Sequence, residues 1–351
     1  MTSPLPPGAP ETTTGDGRPR ATRTLAGLGF VVLVAVLATW LGALVPIVGG
    51  PVFGIVIGAL LAALIRPGAT IRAGAGFAGK RVLQASIVVL GSGLSLTQVL
   101  TVGASSLPVM LGTLVVALGG AWFFGRLLRV SGDVRTLIGV GTGICGASAI
   151  AATTAVIGAT DAEVAYAIGT IFTFNIAAVL LYPTLGHLLG LSQHAFGLWA
   201  GTAINDTSSV VAAAYTYGAA AGAYGVVVKL TRTLMIIPIS LALSAITARK
   251  TTADGETARA RLPWRRLVPL FLIGFIAASA INTIGVIPTS WHPVLNSAAL
   301  FMITVALTGI GLSTRVATIR AAGHRPLLLG AILWALVGAT SLLLQWATGT
   351  L

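Results

Sequence analysis

From Leu25 onward the chain alternates long apolar runs with short polar connections. Eleven runs stand out, at approximately 25–47, 52–65, 82–100, 107–125, 136–158, 163–186, 196–217, 223–246, 267–287, 294–313 and 326–347. Most reach the roughly 20 residues that a tilted helix needs to cross a bilayer. Run 52–65 is shorter and reads either as a pass or as a re-entrant piece. Residues 1–24 lack this pattern and are rich in Pro, Gly, Thr and Arg, so they read as a disordered tail. A signal peptide fits less well, because the run after Arg23 outlasts an ordinary signal h-region. The longest polar connection, 248–263, reads as a linker between membrane blocks. The expectation is an all-α polytopic membrane protein, with about eleven transmembrane segments in one membrane domain over 25–347.

Composition sharpens this. Of 351 residues, 56% are hydrophobic and 8% charged, against about 25% charged in a soluble domain. Such a chain cannot cover a water-facing surface. The single cysteine, Cys145, excludes a disulfide scaffold, and the four histidines show no metal-ligand spacing. No metal and no cofactor is expected.

Lys and Arg number 21 against 8 Asp and Glu, a net charge of +13. If the N-terminus is cytoplasmic and every run crosses once, 19 basic residues fall on the cytoplasmic side and none opposite, where Asp161 and Glu163 lie. Under that scheme the connection from His187 to His194 is cytoplasmic yet holds no Lys or Arg, which makes that one turn less secure. The sorting matches the positive-inside rule, so the charge reports topology. It forms no single basic face, and a nucleic-acid partner is not expected.

The chain also repeats itself. A shift of 218 places Gly91–Ser95 on Gly309–Ser313 and Pro108 on Pro326, with 12 identities in 31 positions. On single passes the copies, near 82–125 and 294–347, are an odd number of segments apart, hence inverted as in many secondary transporters. A shorter echo at an offset of 60 relates Gly141–Ser148 to Gly201–Ser208. Both stretches are small and polar inside apolar runs, and read as broken helices near mid-membrane. Close packing of small residues is the simpler alternative. The string Gly141-Thr-Gly-Ile-Cys-Gly146 also matches G-x-G-x-x-G, but no strand-and-helix context for a dinucleotide surrounds it.

Three charges remain inside the runs: Asp206, Lys229 and Arg232. Each costs roughly 2.5–3.5 kcal/mol at a helix centre, so each should face the bundle interior. Lys229 and Arg232 share a helical face. Their excess over Asp206 favours an anion, and amides at broken-helix N-termini would add to that preference. Candidate binding residues are Lys229, Arg232 and Asp206, with Asn205, Thr207, Ser208 and Ser209 from one broken stretch and Thr142, Gly143, Cys145, Gly146 and Ser148 from the other. A structural Asp206–Arg232 pair with Lys229 snorkelling outward is the plain alternative. Thr173 and Asn175 read as packing hydrogen bonds, and Cys145 by itself as a small packing residue.

The stretches Gly141–Ala151, Ala203–Ala213 and Val228–Met235, together with Gly91–Ser95, resemble the YeiH-like sulfate exporter family over most of the chain from about Trp40. Asn205 stands where members of that family often carry histidine, which weakens any proton pathway through that pair. The resemblance implies a multi-pass protein of a bacterial inner membrane, folded as inverted repeats with crossed, broken helices. It points to sulfate or a related sulfur oxyanion or sulfonate.

The expected function is secondary transport of a small anion, with H⁺ or Na⁺ as a coupling ion and a homodimer as an option. Rival readings are a cation exchanger acting through Asp206, a membrane enzyme and a non-transporting scaffold. Nothing in the sequence supports the enzyme, which would need paired carboxylates or His and Cys clusters.

Overall fold

The computed structural model describes residues 20–44, 49–65, 67–253, 270–313 and 323–351. Of the tail expected at 1–24, residues 1–19 lie outside the described residues and 20–24 instead form the start of the first helix; most of the 248–263 linker also lies outside them. Every regular element among those described is helical. In chain order they are α1 (Arg20–Leu44), α2 (Gly49–Ile65), α3 (Ala69–Phe77), a π-helical turn (Ala78–Val82), α4 (Leu83–Gly91), α5 (Leu96–Leu127), α6 (Gly132–Gly143), α7 (Ala147–Ile157) and α8 (Asp161–Leu188). Then come α9 (Gln193–Ala203), α10 (Thr207–Tyr217), α11 (Ala219–Thr233), α12 (Ile236–Ala253), α13 (Leu270–Thr283), α14 (His292–Ser313) and α15 (His324–Ala347).

Among the described residues, six stretches are long and apolar enough to cross a membrane: 21–44, 96–127, 161–188, 219–245, 289–313 and 324–347. Shorter apolar helices, among them α2, α7 and α13, pack between them. Many large apolar side chains point outward, including Leu64, Phe123, Leu188 and Trp346. A surface of that kind suits hydrocarbon rather than water.

One boundary differs from the sequence pattern. Runs 82–100 and 107–125 do not meet near 101–106. The turn falls at Ser92–Ser95, where the Ser95 hydroxyl accepts from the Gln98 N–H and the Gln98 side chain accepts from the Ser95 N–H. This reciprocal cap starts α5, which then runs unbroken through Pro108. Lys80 and Arg81, expected in a connection, lie exposed on the π turn inside a continuous helical stretch from Ala69 to Gly91.

Two further runs fold back on themselves. The Ser131 hydroxyl, just before α6, donates to the Glu163 carboxylate at 3.4 Å. Glu163 lies in the first turn of α8, just after α7. The pair α6–α7 therefore enters and leaves at one end of the bundle. In the same way Phe196 of α9 stacks on Tyr217 at the end of α10, with ring centroids 3.9 Å apart. The Gln193 side-chain oxygen accepts from the N–H groups of Ala220 and Ala221 at 3.0 and 3.2 Å. The pair α9–α10 is a second hairpin. Its base lies beside His187, whose ring stacks on Tyr217 at the end of α8. The first hairpin has its base at the start of α8, a helix of 28 residues and therefore about 42 Å long. The two hairpins thus enter from opposite ends and point inward.

The remaining helices frame them. Helix α2 runs alongside α14 in the same direction, with Gly54 on Thr304 and Thr308 and Gly58 on Gly311 and Leu312. A Cβ at Gly58 would fall 2.5 Å from the Thr308 carbonyl oxygen, so glycine is what permits this approach. Helix α15 lies between α8 and α5. Gly330 faces Thr170, Gly338 faces Tyr182, and Gly120 faces Leu333. The Trp199 indole N–H donates to the Gly338 carbonyl at 3.0 Å and ties α9 to α15.

Candidate functional site

The hairpin tips meet inside the bundle. At the first, residues 144–146 interrupt the helix. Gly146 has φ +65°, a left-handed conformation that disfavours any side chain. At the second, Ile204 and Asp206 are extended. A Cβ on Gly146 would sit 3.1 Å from the Asp206 Cβ and 3.4 Å from Ile171 of α8. The sequence reads both stretches as broken helices, and helix is interrupted between Gly143 and Ala147 and between Ala203 and Thr207. The small residues let two chains turn within van der Waals contact of each other.

Each tip exposes two helix ends of opposite polarity. The ends of α6 and α9 present carbonyls that no longer have an intrahelical partner. These are where the two cations go. Lys229 Nζ donates to the Ile144 carbonyl at 2.8 Å and to the Ile204 carbonyl at 2.7 Å. Arg232 Nε donates to Gly143 O at 2.6 Å and Nη2 to Thr142 O at 3.0 Å, while Nη1 donates to Thr202 O. Both side chains are fully buried. Two positive charges thus face the negative ends of two helix dipoles, satisfying carbonyls that would otherwise be buried unpaired.

This corrects two sequence expectations. No Asp206–Arg232 pair forms, and Lys229 does not snorkel outward. Asp206 also orients neither cation by a direct bond. Its carboxylate caps α10, accepting from the Ser208 N–H at 2.9 Å and the Ser209 N–H at 3.2 Å. It takes the Ser208 hydroxyl at 2.9 and 2.7 Å and the Ser209 hydroxyl at 2.7 Å. Those hydroxyls, expected as free donors for an anion, are occupied by Asp206.

The N-terminus of α7 is different. Gly146 precedes it and offers no side-chain cap. Ser148, in its first turn, is exposed, and Ala147, Asp206 and Thr207 are half-buried. Thr142, Gly143, Cys145 and Asn205 are buried. Cys145 packs in an apolar cluster with Leu114, Ile144 and Ile236. Thr173 makes the expected packing bond, donating to Gly169 O at 2.8 Å. Asn175 does not, because its side-chain oxygen is buried without a partner, as are the Asn205 side-chain oxygen and the Thr153 hydroxyl. Asn175 follows Ile171 by one turn of α8, on the flank of the tip contact. The parts that sequence reading missed are the main-chain carbonyls of Ile144, Thr202 and Ile204. No side-chain signal marks them, although the helix-breaking composition around them hints that some carbonyls are freed.

An all-helical chain of this apolarity, with charged groups buried among broken helix ends, is a membrane protein. It belongs to the family described as conserved hypothetical protein 698, whose model matches residues 26–330. That range contains both hairpins and both buried cations. The chain is similar to a UPF0324 membrane protein of Streptococcus pyogenes serotype M6, 42% identical over 335 residues that cover 93% of this chain and 98% of the relative. It is similar to a UPF0324 membrane protein of Fusobacterium nucleatum at 39% identity over 345 residues, covering 93% and 98%.

Proposed function

We propose that the protein is a secondary transporter of a small anion, of the sulfate or related sulfur-oxyanion class that the YeiH-like resemblance implies. The observation that carries this reading is the unequal neutralisation of four helix ends. Two cations serve the negative ends of α6 and α9. One carboxylate serves the positive end of α10. The positive end of α7 has no side-chain cap, and beside it lies the exposed hydroxyl of Ser148. A small oxyanion there would accept from free amides and from Ser148. On this reading Lys229 and Arg232 act through the carbonyls they hold, keeping the tips bent, rather than as direct ligands.

The same geometry supports the following membrane placement. The eleven apolar runs become nine passes and two re-entrant hairpins. Residues 159–163 then move to the N-terminal, cytoplasmic side, and 187–194 to the outside. The arginines of 126–135 stay cytoplasmic, while 187–194, which has no Lys or Arg, leaves that side and 159–163, which has none and carries Asp161 and Glu163, joins it. The hairpins become inverted mates, because a single pass, α8, separates their entry points. That fits alternating access by motion of one block against the other. Homologous bacterial proteins fit an inner-membrane location.

The test is reconstitution in liposomes with labelled sulfate counterflow, preceded by thermal-shift screening against sulfate, sulfite, thiosulfate, taurine and dicarboxylates. Stabilisation by one of these and saturable exchange of the same anion support the proposal. No stabilisation and no exchange with any of them sinks it.

A second reading, cation exchange through Asp206, draws on the buried side-chain oxygens of Asn175 and Asn205, which lack donors. Asn205 adjoins Asp206 in sequence, and unpaired acceptor oxygens together with a carboxylate suit a hard cation such as Na⁺. Sodium-dependent stabilisation that Asp206→Asn removes would favour it.

A further inference from the structure

At the basic end of the bundle a groove of about 300 Å³ opens between α5, α6 and α12. Its walls are Leu118, Ala121, Gly139, Val140, Ile239 and Leu243, with Trp122 and Arg135 also lining it. Trp122 is 54% exposed, so the groove is open on the side that meets lipid. Hydrocarbon is the solvent there, and an open apolar groove takes up an acyl chain.

Two arginines stand at the mouth, and a third lies in the adjoining turn. The Arg126 guanidinium lies 4.3 Å from the centroid of the Trp122 ring, held by cation–π attraction. The Arg135 stem lies on Gly125, so closely that a Cβ there would come within 2.8 Å of it. Arg129 sits in the turn between α5 and α6 with φ +55°, the only non-glycine residue with positive φ among those described. It occupies the place where a helix usually ends on glycine. The turn is closed by Val130 N–H donating to Gly125 O at 2.9 Å. A strained arginine where glycine would be relaxed calls for a compensating use. The nearby acid, Asp133, lies in the first turn of α6 and is exposed.

We propose that this groove is a binding site for an anionic phospholipid of the cytoplasmic leaflet. One acyl chain lies along Leu118, Val140 and Ile239, and the phosphate is held by Arg126, Arg129 and Arg135. Basic pockets between helices on the cytoplasmic side select such headgroups. The proposal rests on the membrane placement given above but not on transport, so loss of either leaves the other testable.

The experiment is native mass spectrometry of the full-length protein in detergent, titrated with phosphatidylglycerol and phosphatidylcholine at equal concentration. The wild type is expected to retain phosphatidylglycerol several-fold over phosphatidylcholine. Arg126→Gln with Arg135→Gln should reduce that preference to parity. Lys80→Gln with Arg81→Gln, which removes two exposed cations elsewhere, should leave it unchanged. Arg129→Gly should melt at a higher temperature and still lose preference. Ala242→Phe, at the groove wall, should lower retention of both lipids. The proposal is overturned if the wild type retains both lipids equally, or if the Lys80 and Arg81 changes act as strongly as those at the mouth. It is also overturned if Ala242→Phe alters oligomeric state without altering lipid retention, since a second copy would then fill the groove.

Discussion

The Ser131 hydroxyl reaches the Glu163 carboxylate at 3.4 Å, although 31 residues and two helices lie between them. This contact makes α6–α7 a hairpin rather than a pass. Under the membrane placement proposed above, it also moves Asp161 to the other side of the membrane.

That reversal can be measured. With Cys145 replaced by Ala, single cysteines at Ser131 and Thr160 should label from the cytoplasmic face only. Cysteines at Gln193 and Gly190 should label from the outer face only. Labelling of positions 131 and 160 from opposite faces would restore the single-pass scheme.

Lys229 is predicted to be a structural keystone. Replacing it by Met leaves the carbonyls of Ile144 and Ile204 buried without a donor, each costing about 1–3 kcal/mol. Thermal stability in detergent should fall accordingly, with or without any anion present. An unchanged melting temperature would show that the tips do not depend on this bond pair.

Asp206 separates capping from charge. Asparagine caps helices about as well as aspartate, whereas alanine costs about 1 kcal/mol. Both Asp206 oxygens accept here and asparagine keeps one, so Asp206→Asn should lower stability by less than Asp206→Ala. If Asp206 carries a coupling ion, Asp206→Asn should abolish gradient-driven flux while one-for-one anion counterflow survives. Equal loss of both by Asp206→Asn would place the carboxylate at the anion itself.

Gly146 is predicted to resist substitution. Its left-handed φ and the 3.1 Å approach to the Asp206 Cβ make Gly146→Ala costly, by about 1–3 kcal/mol from strain. Gly119, where a Cβ meets nothing within 4 Å, should accept alanine freely. Comparable melting temperatures for the two variants would argue against close contact of the tips.

Sequence alone determined that this is a membrane protein. Apolar runs of span length and a one-sided distribution of arginine follow from the cost of placing polar groups in hydrocarbon, a property that composition and order record directly. The same cost singled out Asp206, Lys229 and Arg232, because a charge inside an apolar run has to be buried. Tertiary structure alone decided what those charges hold. Their partners are mainly main-chain carbonyls and amides, which every residue possesses and which no one-dimensional pattern distinguishes. Whether an apolar run crosses or turns back is likewise absent from hydropathy, since both paths bury the same side chains. Only the contacts at the hairpin bases, Ser131 with Glu163 and Phe196 with Tyr217, separate the two.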